Sequence, residues 1–137
     1  MEANKIIITG AATRIGAAIA KSLSGPDVEI VIHYNSSKTK AEKLKRELIK
    51  NHTKVFLIKG DLSKEKDLNK IIKFSKSKLR YFDCLINNAS LFENDNLRNF
   101  TSKSWAKHLD VNLKAPAYLT KEFAKNTKGK NNNIINI

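Results

Sequence analysis

Cysteine is nearly missing from this chain, and its scarcity removes a class of architectures. Cys84 stands alone, so no internal disulfide and no cysteine-based metal cluster can form. Lying between Phe82 and Leu85, it reads as a packed thiol rather than a nucleophile. Long apolar runs are missing too. No stretch is long enough to span a bilayer, and Ile6–Ile8 is too short for a signal-peptide core, so a soluble cytoplasmic protein is expected. Acidic residues are scarce, 13 against 26 basic ones, which leaves a net charge of +13. Such a balance invites a nucleic-acid reading, but only Arg14, Arg46, Arg80 and Arg98 are arginines, and the lysines are spread along the chain without interleaved aromatics. The charge therefore reads as solvated helix faces that still attract anionic cofactors, with no nucleic-acid or membrane partner. What is present suffices for one folded domain, since 41% of the 137 residues are apolar.

Strand-like and helix-like stretches alternate without a linker, repeat or low-complexity block. Strands are expected at Lys5–Thr9, Val28–His33, Lys54–Lys59, Cys84–Asn87 and Asn133–Ile137. Helices are expected at Arg14–Ser24, Thr39–Asn51, Lys64–Ser77 and Ser102–Ala124. Their inward faces read as Ile15, Ala18, Ile19 and Leu23; then Ala41, Leu44, Leu48 and Ile49; then Leu68, Ile71, Ile72 and Leu79. Gly25-Pro26-Asp27 closes the first helix, and Asp61 or Ser63 offers a cap for the third. Alternation at this spacing means right-handed βαβ units, hence an α/β fold with a Rossmann-like doubly wound parallel sheet. One domain covers residues 1–137. It looks truncated after the fifth strand, because no helix follows to cover Ile134, Ile135 and Ile137.

Thr9-Gly10-Ala11-Ala12-Thr13-Arg14-Ile15-Gly16 joins the first strand to the first helix. A glycine turn there brings bare N–H groups and the positive helix end to a phosphate, which points to a dinucleotide. Gly10 permits the turn and Gly16 lets the helix sit close to the strand. Arg14 occupies the middle position of the usual three-glycine fingerprint, where a guanidinium can grip phosphate oxygens. An ordinary turn with an exposed arginine fits the same letters.

After the second strand, His33-Tyr34-Asn35-Ser36-Ser37-Lys38 contains no acid to bond a ribose 2′-hydroxyl, so these residues suit a 2′-phosphate and NADP over NAD. Ser36 or Ser37 could equally cap the next helix. Asp61-Leu62 is placed for an adenine amino group, or Asp61 for a cap. Asn87-Asn88-Ala89-Ser90-Leu91-Phe92 ends the fourth strand facing the crevice; Ala89 and Ser90 let a cofactor approach, and Phe92 either stacks on a flat ring or joins the core. Pro116 deprives the Asn112 carbonyl of its helical donor, so a bend is expected there, with a carbonyl free to hold water or merely with altered packing.

Together Thr9-Gly10-…-Gly16, Asp61-Leu62, Asn87-Asn88-Ala89 and Val111-Asn112-Leu113 resemble the short-chain dehydrogenase/reductase family, from residue 5 to the last residue. Arg14-Ile15-Gly16, His33-Tyr34 and Asn87-Asn88-Ala89-Ser90-x-Phe92 are similar to pteridine reductases. The resemblance implies NADPH/NADP+ held by Gly10, Arg14, Ile15, Gly16, His33, Tyr34, Asn35, Ser36, Ser37, Asp61, Leu62, Asn88, Ala89 and Ser90. It also implies a pterin held by Arg14, Ser90 and Phe92, a catalytic Asn112, no metal, and a homo-oligomer, tetramer or dimer. Two departures accompany it. Ser36 stands where pteridine reductases often carry arginine, so Ser37, Lys38 and Arg14 have to compensate. The family's Ser and Tyr-x-x-x-Lys have no counterpart; Tyr34–Lys38 matches by letter but lies at the second strand's end, so the chain looks like the cofactor half of a longer enzyme. The expected activity is NADPH-dependent reduction of a dihydropterin or dihydrofolate. A 3-oxoacyl-type carbonyl reductase and a non-catalytic NADP-binding remnant are the alternatives.

Overall fold

The computed structural model describes residues 4–129 and 131–137. Five parallel strands form its sheet: β1 (Asn4–Ile8), β2 (Val28–Tyr34), β3 (Lys54–Lys59), β4 (Cys84–Asn87) and β5 (Asn133–Asn136). Their spatial order is β3-β2-β1-β4-β5. The direction of winding reverses beside β1, which opens a crevice at the carboxyl ends of β1 and β4. The helices are α1 (Arg14–Ser22), α2 (Lys38–Ile49), α3 (Glu65–Leu79), α4 (Ser102–Leu109) and α5 (Ala115–Ala124).

Alternation along each strand divides the core. Ile7, Val31 and Leu85 lie in register across the sheet and pack on Leu68, Ile71, Leu79, Leu119 and Phe123 of α3 and α5. Ile6, Ile8, Ile30, Ile32 and Ile86 face the other way, toward Ala20, Leu44 and Leu48 of α1 and α2. Near-continuous apolar strands are what a parallel sheet covered on both faces requires. Ile7, Ile8, Ile30 and Ile32 are wholly buried, so truncating any one to alanine costs about 2–5 kcal/mol.

Two inward faces differ from expectation. Gly16 and Ala20 are the buried residues of α1, whereas Ile15 and Leu23 are exposed. Small residues win here because the helix lies close to the sheet. On α2, Ala41, Leu44 and Leu48 are buried but Ile49 is half exposed. The expected caps also differ. Ser37 precedes α2 without a side-chain cap bond, and Lys64, not Asp61 or Ser63, is the cap residue of α3. Asp61 instead accepts from the Ser63 N–H at 3.0 Å and its hydroxyl at 2.7 Å.

The stretch expected as one bent helix at Ser102–Ala124 is two helices joined by a π-helical turn over Asp110–Lys114. The Ala115 N–H reaches back five residues to the Asp110 carbonyl, and Pro116 falls in the first turn of α5, where a missing N–H costs least. Both faces of β5 are exposed, with Ile134 and Ile135 uncovered. Cys84 is half-buried, and burial pushes its thiol up from the ordinary range, away from nucleophile chemistry.

Candidate functional site

Above the carboxyl ends of the first four strands lies a crevice of about 540 Å³, a volume typical of cofactor pockets. Gly10, Ala12, Thr13, Arg14, Ile15 and Gly16 form its floor. His33 to Ser37 line one side, Asp61 and Leu62 the back, and Asn88, Ala89, Ser90, Leu91, Lys107 and Val111 the other side. The structure thus brings together every residue expected at a cofactor site.

The glycine turn is held by side chains that sequence reasoning missed or assigned elsewhere. Gly10 has φ +61°, and a Cβ there would lie 2.8 Å from Ala89 Cα. A Cβ on Gly16 would lie 2.5 Å from Asn88 Nδ2 and 2.7 Å from the Gly10 carbonyl oxygen. Both positions exclude a side chain, so the bare backbone of the turn faces the crevice. Thr9, only 2% exposed, accepts through Oγ1 from the Asn88 and Ala89 N–H groups at 3.1 and 3.0 Å. Asn88 donates through Nδ2 to the Thr9 and Gly10 carbonyls at 2.9 and 3.1 Å. These bonds tie the end of β1 to the end of β4.

His33 lines the crevice with its ring buried: Nδ1 accepts from the Gly10 N–H at 3.2 Å, and Nε2–H donates to the Gly60 carbonyl at 2.9 Å. Both contacts require a neutral ring, and burial pushes its pKa down. His33 therefore serves the site by holding the turn. The Tyr34 side chain packs with Ala12 and Ala41, and Lys38 pairs with Glu42 at 3.9 Å.

Arg14 adopts φ +50°, a left-handed conformation that glycine tolerates and arginine does not favour. It lines both the crevice and an adjoining groove between α1 and α2 that also holds Lys40 and Lys43. None of these three cations has an ion-pair partner among the described residues, whereas Lys21 in the same groove pairs with Glu47 at 2.7 Å. Asp61 stays ionised, because the Ser63 hydroxyl bond outweighs burial and holds its carboxyl below the usual range.

On the open side, the side-chain amide of Asn112 is engaged. Its Oδ1 accepts from the Leu91 N–H at 2.7 Å and its Nδ2 donates to the Leu91 carbonyl at 2.8 Å. Phe92 is 86% exposed and does not line the crevice, so it is not the core residue that its neighbourhood also allowed. Leu91 and Ser90 take the places beside it on the wall. No group of three or more His, Cys, Asp or Glu side chains suited to a metal occurs among the described residues.

Comparison with known proteins agrees with this geometry. Residues 4–137 match the family model described as short chain dehydrogenase. A 3-oxoacyl-[acyl-carrier-protein] reductase of Synechocystis is 28% identical over the whole chain, which covers 56% of that protein. FolM alternative dihydrofolate reductase 1 from Brucella canis, solved with NADP, superimposes with a TM-score of 0.86 at 27% identity, over 96% of this chain and 53% of the other. A short-chain dehydrogenase from Burkholderia cenocepacia, also solved with NADP, shares the fold with a TM-score of 0.92 at 23% identity, over 98% of this chain and 55% of the other. The chain spans about half the length of the curated relatives it matches. With its parallel sheet, its glycine turn and this match over residues 4–137, the chain belongs to the short-chain dehydrogenase family.

Proposed function

We propose that the crevice binds NADPH and that the protein serves NADPH-dependent reduction of a dihydropterin or dihydrofolate. The observation that carries the cofactor reading is the end of β2, where Asn35, Ser36 and Ser37 line the crevice without a carboxylate beside the unpaired Arg14. A 2′-phosphate meets hydroxyls and cations there and no repelling acid. The turn N–H groups and the start of α1 receive the pyrophosphate. When bound, NADPH supplies a hydride. The chain's own residues orient it: Thr9, Asn88 and His33 hold the turn, Asp61 faces the adenine end, and Ala89 leaves room for the nicotinamide.

Arg14 and Ser90 on the crevice wall support the pterin reading, together with the likeness to the Brucella protein. Phe92 enters it only if the segment carrying it turns inward. A 3-oxoacyl-type carbonyl reductase is the second reading, favoured by the Synechocystis relative that aligns with the whole chain. Asn112 belongs to the catalytic group in either case, and the proton donor is assigned outside the residues described. A dimer or tetramer is part of the proposal, supported by the exposed apolar stripe Trp105, Leu109 and Leu113. So is a cytoplasmic location; no helix among the described residues is long and apolar enough to cross a membrane.

The test is turnover by a chain of the relatives' full length, with NADPH, a dihydropterin and a 3-oxoacyl thioester offered separately. Reduction of the dihydropterin alone supports the proposal. Reduction of the thioester alone replaces it with the second reading.

A further inference from the structure

From Leu91 to Asp95 the chain runs alongside α4 in the opposite direction, and alternate residues are tied to helix residues four apart. Asn112 holds both backbone groups of Leu91. His108 accepts through Nε2 from the Glu93 N–H at 3.0 Å, and its Nδ1–H donates to the Ser104 carbonyl at 2.8 Å. Ser104 donates through its hydroxyl to Asp95 Oδ2 at 2.6 Å, and Lys107 pairs with Glu93. The spacing fits. Four helical residues rise about 6.0 Å and two extended residues about 6.6 Å, so the two ladders stay in step over three rungs. Leu91 and Glu93 are partly buried while Phe92 and Asn94, the residues that follow each, are exposed, as two-residue alternation requires.

The same segment walls the crevice. Ser90 and Leu91 precede or begin the ladder, and Lys107 and Val111 interleave with its helix anchors; all four line the open side. His108 is the middle rung, and its acceptor nitrogen holds the segment just beyond the wall.

We propose that His108 is a positioning residue: by accepting from the Glu93 N–H it latches Leu91–Asp95 to α4 and fixes the crevice wall against the ring of a bound cofactor. The latch stands on its own geometry. Its effect on the ligand rests on the NADPH reading above, and the two are separable in experiment.

Glutamine places an amide oxygen where Nε2 stands, and asparagine only reaches the position of Nδ1. His108→Gln therefore retains the latch, and His108→Asn removes it while keeping a polar side chain near Ser104. Hydrogen exchange of the Glu93 amide is expected to accelerate on the order of tenfold in His108→Asn and to stay near wild type in His108→Gln. Titrated with NADPH, His108→Asn is expected to shift the emission of the bound nicotinamide, and His108→Gln to restore it, at nearly unchanged melting temperature. Equal exchange at Glu93 in all three proteins overturns the latch. Lost protection with unchanged NADPH emission overturns its role in the wall. Absence of NADPH binding in the wild type overturns the cofactor reading and leaves the exchange result to decide the latch.

Discussion

Replacing Arg14 by glycine is expected to move stability and affinity in opposite directions. Arg14 sits at φ +50°, where an L-residue is strained by about 1–2 kcal/mol, and glycine removes that strain. Glycine also gives back roughly 0.5–1 kcal/mol through the greater freedom of the unfolded chain. The net gain in stability is therefore about 0.5–1 kcal/mol. The guanidinium, exposed and without an ion-pair partner, contributes nothing to the fold that offsets this. If it grips a phosphate of NADPH, losing it weakens binding by roughly 1–3 kcal/mol, or about 5- to 150-fold. Arg14→Ala is the control, since it removes the charge but keeps the strained backbone. The two variants should lose similar affinity while only Arg14→Gly gains stability in urea. Urea melts give the first quantity and fluorescence titration with NADPH the second. Unchanged affinity in both variants would refute the reasoning and make Arg14 a surface residue that tolerates strain for no ligand.

Gly16→Ala puts a Cβ within 2.8 Å of Asn88 Nδ2, the Gly10 carbonyl and Ala11 Cα, so it should cost about 1–3 kcal/mol in urea and abolish NADPH binding. Thr9→Val keeps the shape but leaves the Ala89 N–H without its acceptor and the Asn88 N–H with the Ile86 carbonyl alone; about 1–3 kcal/mol of stability should disappear, measured by the same melts. His33 binds its proton later in the folded chain than in the unfolded one, because burial lowers its pKa. Its contribution is full above the ordinary imidazole value of about 6.5 and falls with decreasing pH by at most ~1.4 kcal/mol per unit, a slope that His33→Gln should flatten in melts from pH 7 to 5. The 137-residue chain alone is expected to bind NADPH without oxidising it above the buffer rate when a dihydropterin or reactive carbonyl is added, which absorbance at the nicotinamide band checks.

The sheet was legible because buried parallel strands such as Ile6–Ile8 and Val28–Tyr34 carry continuous apolar runs, and the helices between them carry a 3.6-residue period. That signal favours large residues. It therefore assigned Ile15 and Leu23 to the core of α1, where close approach to the sheet selects Gly16 and Ala20. At the site, the glycine positions were legible from spacing, since a turn between strand and helix is a local feature. The bonds that hold the turn were not. Thr9 meets Ala89 across 80 positions and His33 meets Gly10 across 23, and a single polar side chain leaves no periodic trace of a partner so distant. Pro116 marked the right place for a disturbed helix, but a proline does not say whether the backbone answers with a kink or an added residue in the turn. Phe92 looked like a ring-stacking residue because aromatics next to a crevice often are; the alternating ladder of Leu91–Asp95 turns it outward.

The central claim is that the glycine turn and the acid-free end of β2 make this crevice an NADPH site. Isothermal titration of the purified chain with NADPH and NADH, side by side at one ionic strength, tests it most directly. The account predicts one site per chain, with NADPH bound at least tenfold more tightly than NADH, a gap of about 1.4 kcal/mol for one charge-assisted phosphate contact. Equal or reversed affinities, or no heat with either nucleotide, would contradict it.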